Sequence, residues 1–317
     1  MASSGFVFDQ RWWAGAISFP SIASVFGSYD TTTESWGLQP TQQSIGTGIG
    51  ILAVVVGLFI GPILNECFGR WRTFFAQAIV VLLGVIVEAT SFHSYAQLII
   101  DRAIVYIGGG IATNVVPVYQ AECAPPALRG LMTTAYNGSI MLGALISSLI
   151  LYLCRDVKSD WSWRGVVVVQ IVGPIICLLG IFFLPESPRW LVKEGRIDDA
   201  ANALRRLRKN HDKIEEEVDM LRGTINHERT TEGTSYVECF RGTNLRRITI
   251  TVGVQVLQQA LGIFFIGDYL GVFLVQIGFT DSLLIVMITY IIGAVTSYLL
   301  CLPLIFRSTQ DAPLTNR

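Results

Sequence analysis

The sequence predicts an all-α fold, a polytopic membrane helical bundle, and three observations carry that prediction. Apolar residues make up 51% of the chain and charged residues only 15%, the balance of a multi-span membrane protein rather than a water-soluble domain. Apolar runs of about 20 residues recur, the length that carries a helix across roughly 30 Å of hydrocarbon. Lysine and arginine gather in alternate loops, as expected when those loops share one side of a membrane.

Eight spans are expected, at 12–29, 45–64, 74–91, 97–119, 131–153, 166–184, 248–276 and 283–306. They must be helical, because lipid offers the backbone no hydrogen-bond partners. The first run lacks the basic start and small-residue cleavage site of a signal peptide, so it reads as a span. Arg70 and Arg72 follow span two, Arg129 follows span four, and the richest basic stretch lies between spans six and seven. That side is then cytoplasmic, and both termini with it. A plasma-membrane location is expected.

The chain divides into a six-span bundle (1–184), a polar helical linker (185–247), two further spans (248–306) and a polar tail (307–317). In "FFLPESPRWLVKEGR" the apolar run stops at Pro185, and Ser187-Pro188 suits the cap and first position of a new helix. "IDDAANALRRLRK" carries Asp198 and Asp199 early and Arg205, Arg206 and Lys209 late, which matches the helix dipole. Ile197, Ala201, Leu204 and Leu207 give that helix an apolar face.

Span two places Gly46, Gly50, Ala53, Gly57 and Gly61 on nearly one stripe, the pattern that lets helices approach closely in lipid. No strand-turn-helix context surrounds these glycines, so they do not form a dinucleotide loop. The six cysteines show no metal or redox spacing. Neither a cofactor nor a metal is expected, and no paired nucleophile and base or phosphate loop suggests an enzyme. No signal for nucleic acid is present. Asn137 begins an "NGS" sequon inside span five and is expected to stay unmodified.

Polar residues inside a span cost several kcal/mol if they face lipid, so they face a cavity or one another. Arg102, Tyr106, Gly109 and Thr113 share one face of span four. Gln255, Gln258, Gln259 and Gly262 fall at helical spacing in span seven, and Tyr136 and Asn137 lie in span five. Amides both donate and accept, as every sugar hydroxyl does, so the glutamine row suits a sugar or polyol. The same row also suits hydrogen bonding between helices, at roughly 1 kcal/mol per bond.

"PESPRWL" at 185–191, "PVYQAECAPPALRG" at 117–130, "GPILNECFGRWR" at 61–72, Arg102 and "QQALGI" from Gln258 together resemble the sugar porter family of the major facilitator superfamily, in its fungal hexose, maltose and quinate-like branch. The resemblance covers the chain to about residue 303 and implies a six-helix N-terminal half followed by two helices of a second half. The family has four more spans after the eighth, so by this resemblance the chain is C-terminally truncated.

The resemblance further implies a carbohydrate transporter working by alternating access, with two bundles rocking about a central substrate. Glu122, Arg129, Arg70, Glu186 and Arg189 would form a cytoplasmic gating network, made in one state and broken in the other. Substrate contacts map to Gln258 and Gln259, with Asn137 where a glutamine is usual. Asp30 resembles the acid that pairs with Arg102 in proton-coupled members, so symport with a proton is implied. An inward proton gains about 2.3 kcal/mol per 100 mV.

Three positions depart from the family's pattern: Asn65 for an aspartate, Asp101 for a glycine and Phe264 for an asparagine. The competing reading is a non-transporting membrane fragment with a sensor-like or regulatory role, associated with a full-length transporter. Uptake of labelled sugar separates the two, and it also tells whether the chain is active with the spans it has.

Overall fold

The computed structural model describes residues 2–17, 20–30, 35–90, 94–125, 128–155, 157, 161–208, 214–231, 242–279 and 281–311. Among the described residues the regular secondary structure is helical, apart from one short hairpin. Six described helical stretches are each long and apolar enough to cross a membrane: Pro40–Phe68, Arg70–Ala89, Tyr95–Cys123, Gly130–Cys154, Trp163–Ile181 and Ser282–Leu299. Cys239 and the end of the polar tail lie outside the described residues.

The first expected span begins earlier than the sequence suggested and is broken. Helix α1 runs Ala2–Ala16 and α2 runs Pro20–Phe26, with Pro20 opening the second piece. Tyr29 belongs to no span. It lies in β1 (Ser28–Asp30), paired antiparallel with β2 (Ser35–Gly37), and its ring meets that of Trp36 opposite. Asp9 and Arg11, ahead of the expected span, both lie within that helix, and Asp9 is fully buried.

Helices α3 (Pro40–Phe68) and α4 (Arg70–Ala89) are separated only by Gly69, whose φ of 87° few residues other than glycine adopt readily. Helix α5 (Tyr95–Cys123) starts at Ser94, whose side chain accepts from the Gln97 N–H, and α6 spans Arg129–Cys154. The sixth expected span is two helices, α7 (Trp161–Gln170) and α8 (Val172–Ile181). Pro174 cannot donate to Gln170, so the ladder is interrupted where the break falls.

Two compact units emerge. The first comprises Met1–Ser187 and Gly271–Arg317. Within it α5 is the common partner, packed against α1, α3, α4 and α6. The glycine stripe explains the α3 contact: a Cβ on Gly57 would stand 2.3 Å from the carbonyl oxygen of Ile107, and one on Gly110 2.3 Å from that of Val54. The backbones touch, as small residues in lipid allow. Trp12, Trp13, Leu98, Val105, Trp163 and Val166 fill the core. Helix α14 (Ser282–Asp311) packs along α6, and an exposed Arg155–Asp281 ion pair of 2.8 Å joins their ends.

The second unit is Pro188–Leu270. Helix α9 (Pro188–Lys193) begins at the expected proline and packs with α10 (Ile197–Leu207) and α11 (Ile214–Thr231). The apolar face of α10 is buried within this unit: Leu204 lies against Ile214 and Val218, while Ala200 and Ala203 join Trp190 and Ile225. The seventh expected span is also broken, into α12 (Gly242–Ala260) and α13 (Ile263–Ile277). Gly262, at φ 72°, turns the chain between them.

Candidate functional site

Arg102 is a charged side chain almost fully buried in the first unit, at 1% exposure. It lies in the third turn of α5, towards the end opposite Glu122. Its Nη2 donates to Tyr106 Oη at 2.8 Å, one turn along the same face. The guanidinium stands 4.4 Å from the centre of the Trp13 ring, a favourable desolvated cation–π contact. Room for these rings comes from α3. A Cβ on Gly46 would stand 2.5 Å from Trp13, and one on Gly50 2.8 Å from Tyr106. The glycine stripe therefore shapes the cradle of a buried cation as well as the helix contact.

Three acids share this interior. Asp9, Glu88 and Asp101 are each fully buried, and the charges of Asp9 and Glu88 act on Arg102. Asp9 Oδ1 accepts from Trp12 Nε1 and from Gln170 Nε2, both at 2.9 Å, so α1 and α7 meet at this carboxylate. Asp30 lies elsewhere in the chain's path, as the last residue of β1 in the hairpin before α3. Its side chain lies outside the described residues.

A second polar centre lies at the other end of α4 and α5. Arg70 Nε donates to Glu122 Oε2 at 2.9 Å and Nη2 to Oε1 at 2.7 Å, a bidentate pair. Glu186 is held there by backbone donors. Its Oε1 accepts the backbone N–H groups of Arg70, Trp71 and Ser187, at 2.9, 3.1 and 2.9 Å. A carboxylate thus occupies the N-terminus of α4, where the helix dipole favours an anion. Ser187 Oγ closes the cluster by donating to Glu122 Oε2 at 2.6 Å. Asn65 reaches across with Nδ2 to Asn114 Oδ1 at 2.8 Å, and its carbonyl accepts from Arg70 Nη1.

Of the five residues expected in the gating network, Arg70, Glu122 and Glu186 come together. The Arg129 side chain lies outside the described residues, and Arg189 belongs to α9 in the second unit. Gln255, Gln258 and Gln259 lie on α12 with exposed side chains. Asn137 is exposed on α6 and donates back to the Thr133 carbonyl at 3.4 Å. Beside it, Tyr136 lines a cavity of about 60 Å³ with Pro117, Gln120 and Met132. That is well below the roughly 300 Å³ of a small-molecule site.

The sequence reading missed Asp9, Glu88, Gln170 and Ser187. A signal for Asp9 exists in "FVFDQRWWAG", where an aspartate stands three residues before a tryptophan pair and their indole can reach back to it. Glu88 had a signal too, as the one acid in the run 74–91.

The family described as "Sugar (and other) transporter" matches residues 1–307. The major facilitator-type transporter ecdD of Aspergillus rugulosus is 30% identical over 288 residues, covering 90% of this chain and 53% of that protein. The high glucose sensor RGT2 of Saccharomyces cerevisiae is 31% identical over 255 residues, 78% of this chain and 33% of that protein. The proton:xylose symporter XylE, solved with 6-bromo-6-deoxy-D-glucose, superposes with a TM-score of 0.80 at 22% identity, covering 95% of this chain and 67% of that one. That likeness shows a major facilitator superfamily fold. The chain spans about half the length of ecdD and a third of that of RGT2.

Proposed function

The chain belongs to the sugar transporter family, and from that premise we propose that it moves a sugar or polyol across the membrane by alternating access, in symport with a proton. The observation that carries the proton half of this reading is Arg102, buried in a span under the charge of Asp9 from α1. A charge in that position is costly unless it serves a pathway. Asp9 takes the coupling role proposed for an acid of the first span. When a proton neutralises Asp9, its hold on Arg102 weakens and α1 is freed to move against α5.

The Arg70–Glu122–Glu186 cluster acts as the gate at the other end, together with Arg129. It fastens the start of α4 to the end of α5 and to the chain before α9, which suits a latch made and broken as a unit. Gln255, Gln258 and Gln259 supply amides to the sugar hydroxyls. The gate faces the cytoplasm with both termini, and the bilayer is the plasma membrane. A second reading, a sensor without flux, draws on the 31% identity to a glucose sensor.

The deciding experiment is uptake of labelled glucose, maltose and quinate at two external pH values in transporter-deficient yeast, with surface expression confirmed. Uptake that rises at low pH supports symport. Sugar binding without uptake favours the sensor. Arg102→Ala and Asp9→Asn should remove the pH dependence, and Asp30→Asn should leave it.

A further inference from the structure

Glu88 has no local reason to be an acid. It lies in the last turn of α4, two residues before the Thr90 cap, where the helix dipole disfavours negative charge. It is fully buried, and so are two more carboxylates around it. Among the charged groups that act on Glu88 are Asp9 from α1 and Asp101 and Arg102 from α5.

The helix register explains how Glu88 reaches this place. A Cβ on Gly108 would stand 2.4 Å from Val81 Cγ2, and one on Gly84 2.7 Å from Val105 Cγ2. Helices α4 and α5 run antiparallel, so one turn beyond Gly84 and one turn before Val105 bring Glu88 level with Asp101 and beside Arg102. Gly84 sets this close approach. Glu88 therefore borders the cation from α4, while Asp9 borders it from α1.

The guanidinium is committed to neither acid. Among the described residues its hydrogen bond goes to Tyr106, its Nε and Nη1 make none, and the Trp13 ring lies against its face. Asp9 for its part is engaged by Trp12 and Gln170 through one oxygen, while Oδ2 is buried without a hydrogen bond. A cation held by rings between two acids can lean either way without entering lipid or water.

We propose that Glu88 is a second acidic seat for Arg102, and that the guanidinium passes between Asp9 on α1 and Glu88 on α4 as the bundle changes state. This rests on the transport reading for its purpose, but not for its test. Loss of Asp9's charge hands the cation to Glu88 instead of leaving it unpaired. Glu88 is thus a positioning residue, acting on coupling through Arg102.

The test is a double-mutant cycle on the purified full chain in detergent, read by thermal melting. Glu88→Gln should shift Tm differently when Arg102 is native and when it is replaced in Arg102→Met, by about 2–4 °C for each kcal/mol of coupling. Glu88→Asp should restore most of the native value. Equal shifts in both backgrounds would overturn the proposal. If Arg102→Met does not fold, the cycle is run with Asp9→Asn. Two acids sharing one cation must then be non-additive, and additivity would overturn the shared seat.

Uptake adds a readout that packing alone would not move. Glu88→Gln should displace the pH profile with little change in sugar KM, and an unmoved profile counts against the proposal. A chain without uptake, yet with the melting coupling intact, would remove the transport reading and leave the second seat standing.

Discussion

Arg70 and Glu122 meet fork to fork, with parallel bonds of 2.9 and 2.7 Å between side chains that are 7% and 9% exposed. Their value lies less in net attraction than in the penalty of separating them, because a lone charge left in that place has no water to replace its partner.

Glu122→Ala should therefore cost about 3–5 kcal/mol, seen as a clear fall in the detergent melting temperature. Arg70→Lys keeps the charge but loses the planar fork, and should cost less. Equal losses for the two variants would mean that charge alone holds the joint.

Gly57→Ala should destabilise by about 1–3 kcal/mol, since its Cβ would press on a backbone carbonyl that cannot rotate away. At Gly48, earlier in α3, an added methyl would meet nothing within 4 Å, so Gly48→Ala is the neutral control. Fluorescence-detected size exclusion after a heat step compares them directly.

The helices and their close contacts were legible because lipid enforces simple rules. The stripe from Gly46 to Gly61 read correctly as a packing seam. Run length was legible too, but not its interruptions. Pro174 and Gly262 each split an expected span, and a hydropathy window averages over both. Asp9 was lost for a related reason: a buried acid at the edge of an apolar run looks like a boundary until its partners, Trp12 nearby and Gln170 far along the chain, are seen to reach it. Long-range pairing such as Glu186 with the start of α4 leaves no periodic trace.

Asp9→Leu should leave the Trp12 indole and the Gln170 amide without their shared acceptor, at about 1–3 kcal/mol for each stranded group. Asp9→Asn keeps an acceptor oxygen and should fold close to normally. A melting comparison of the two separates loss of hydrogen bonds from loss of charge.

Gln258→Ala should weaken sugar binding about tenfold if its amide meets a hydroxyl, corresponding to about 1.4 kcal/mol. Equilibrium binding of labelled sugar measures it, and unchanged affinity would take the glutamine row out of the site.

The Arg155–Asp281 pair stands in contact with solvent, with side chains 30% and 58% exposed, whereas Asn65 and Asn114 join α3 to α5 by a bond between neutral amides. Dissolved ions reach the first and have nothing to screen in the second. Raising ionic strength should loosen the tie between the end of α6 and the start of α14 while leaving the α3–α5 joint as it was. Salt is thus a reagent that addresses the α6–α14 tie and spares the amide joint between α3 and α5.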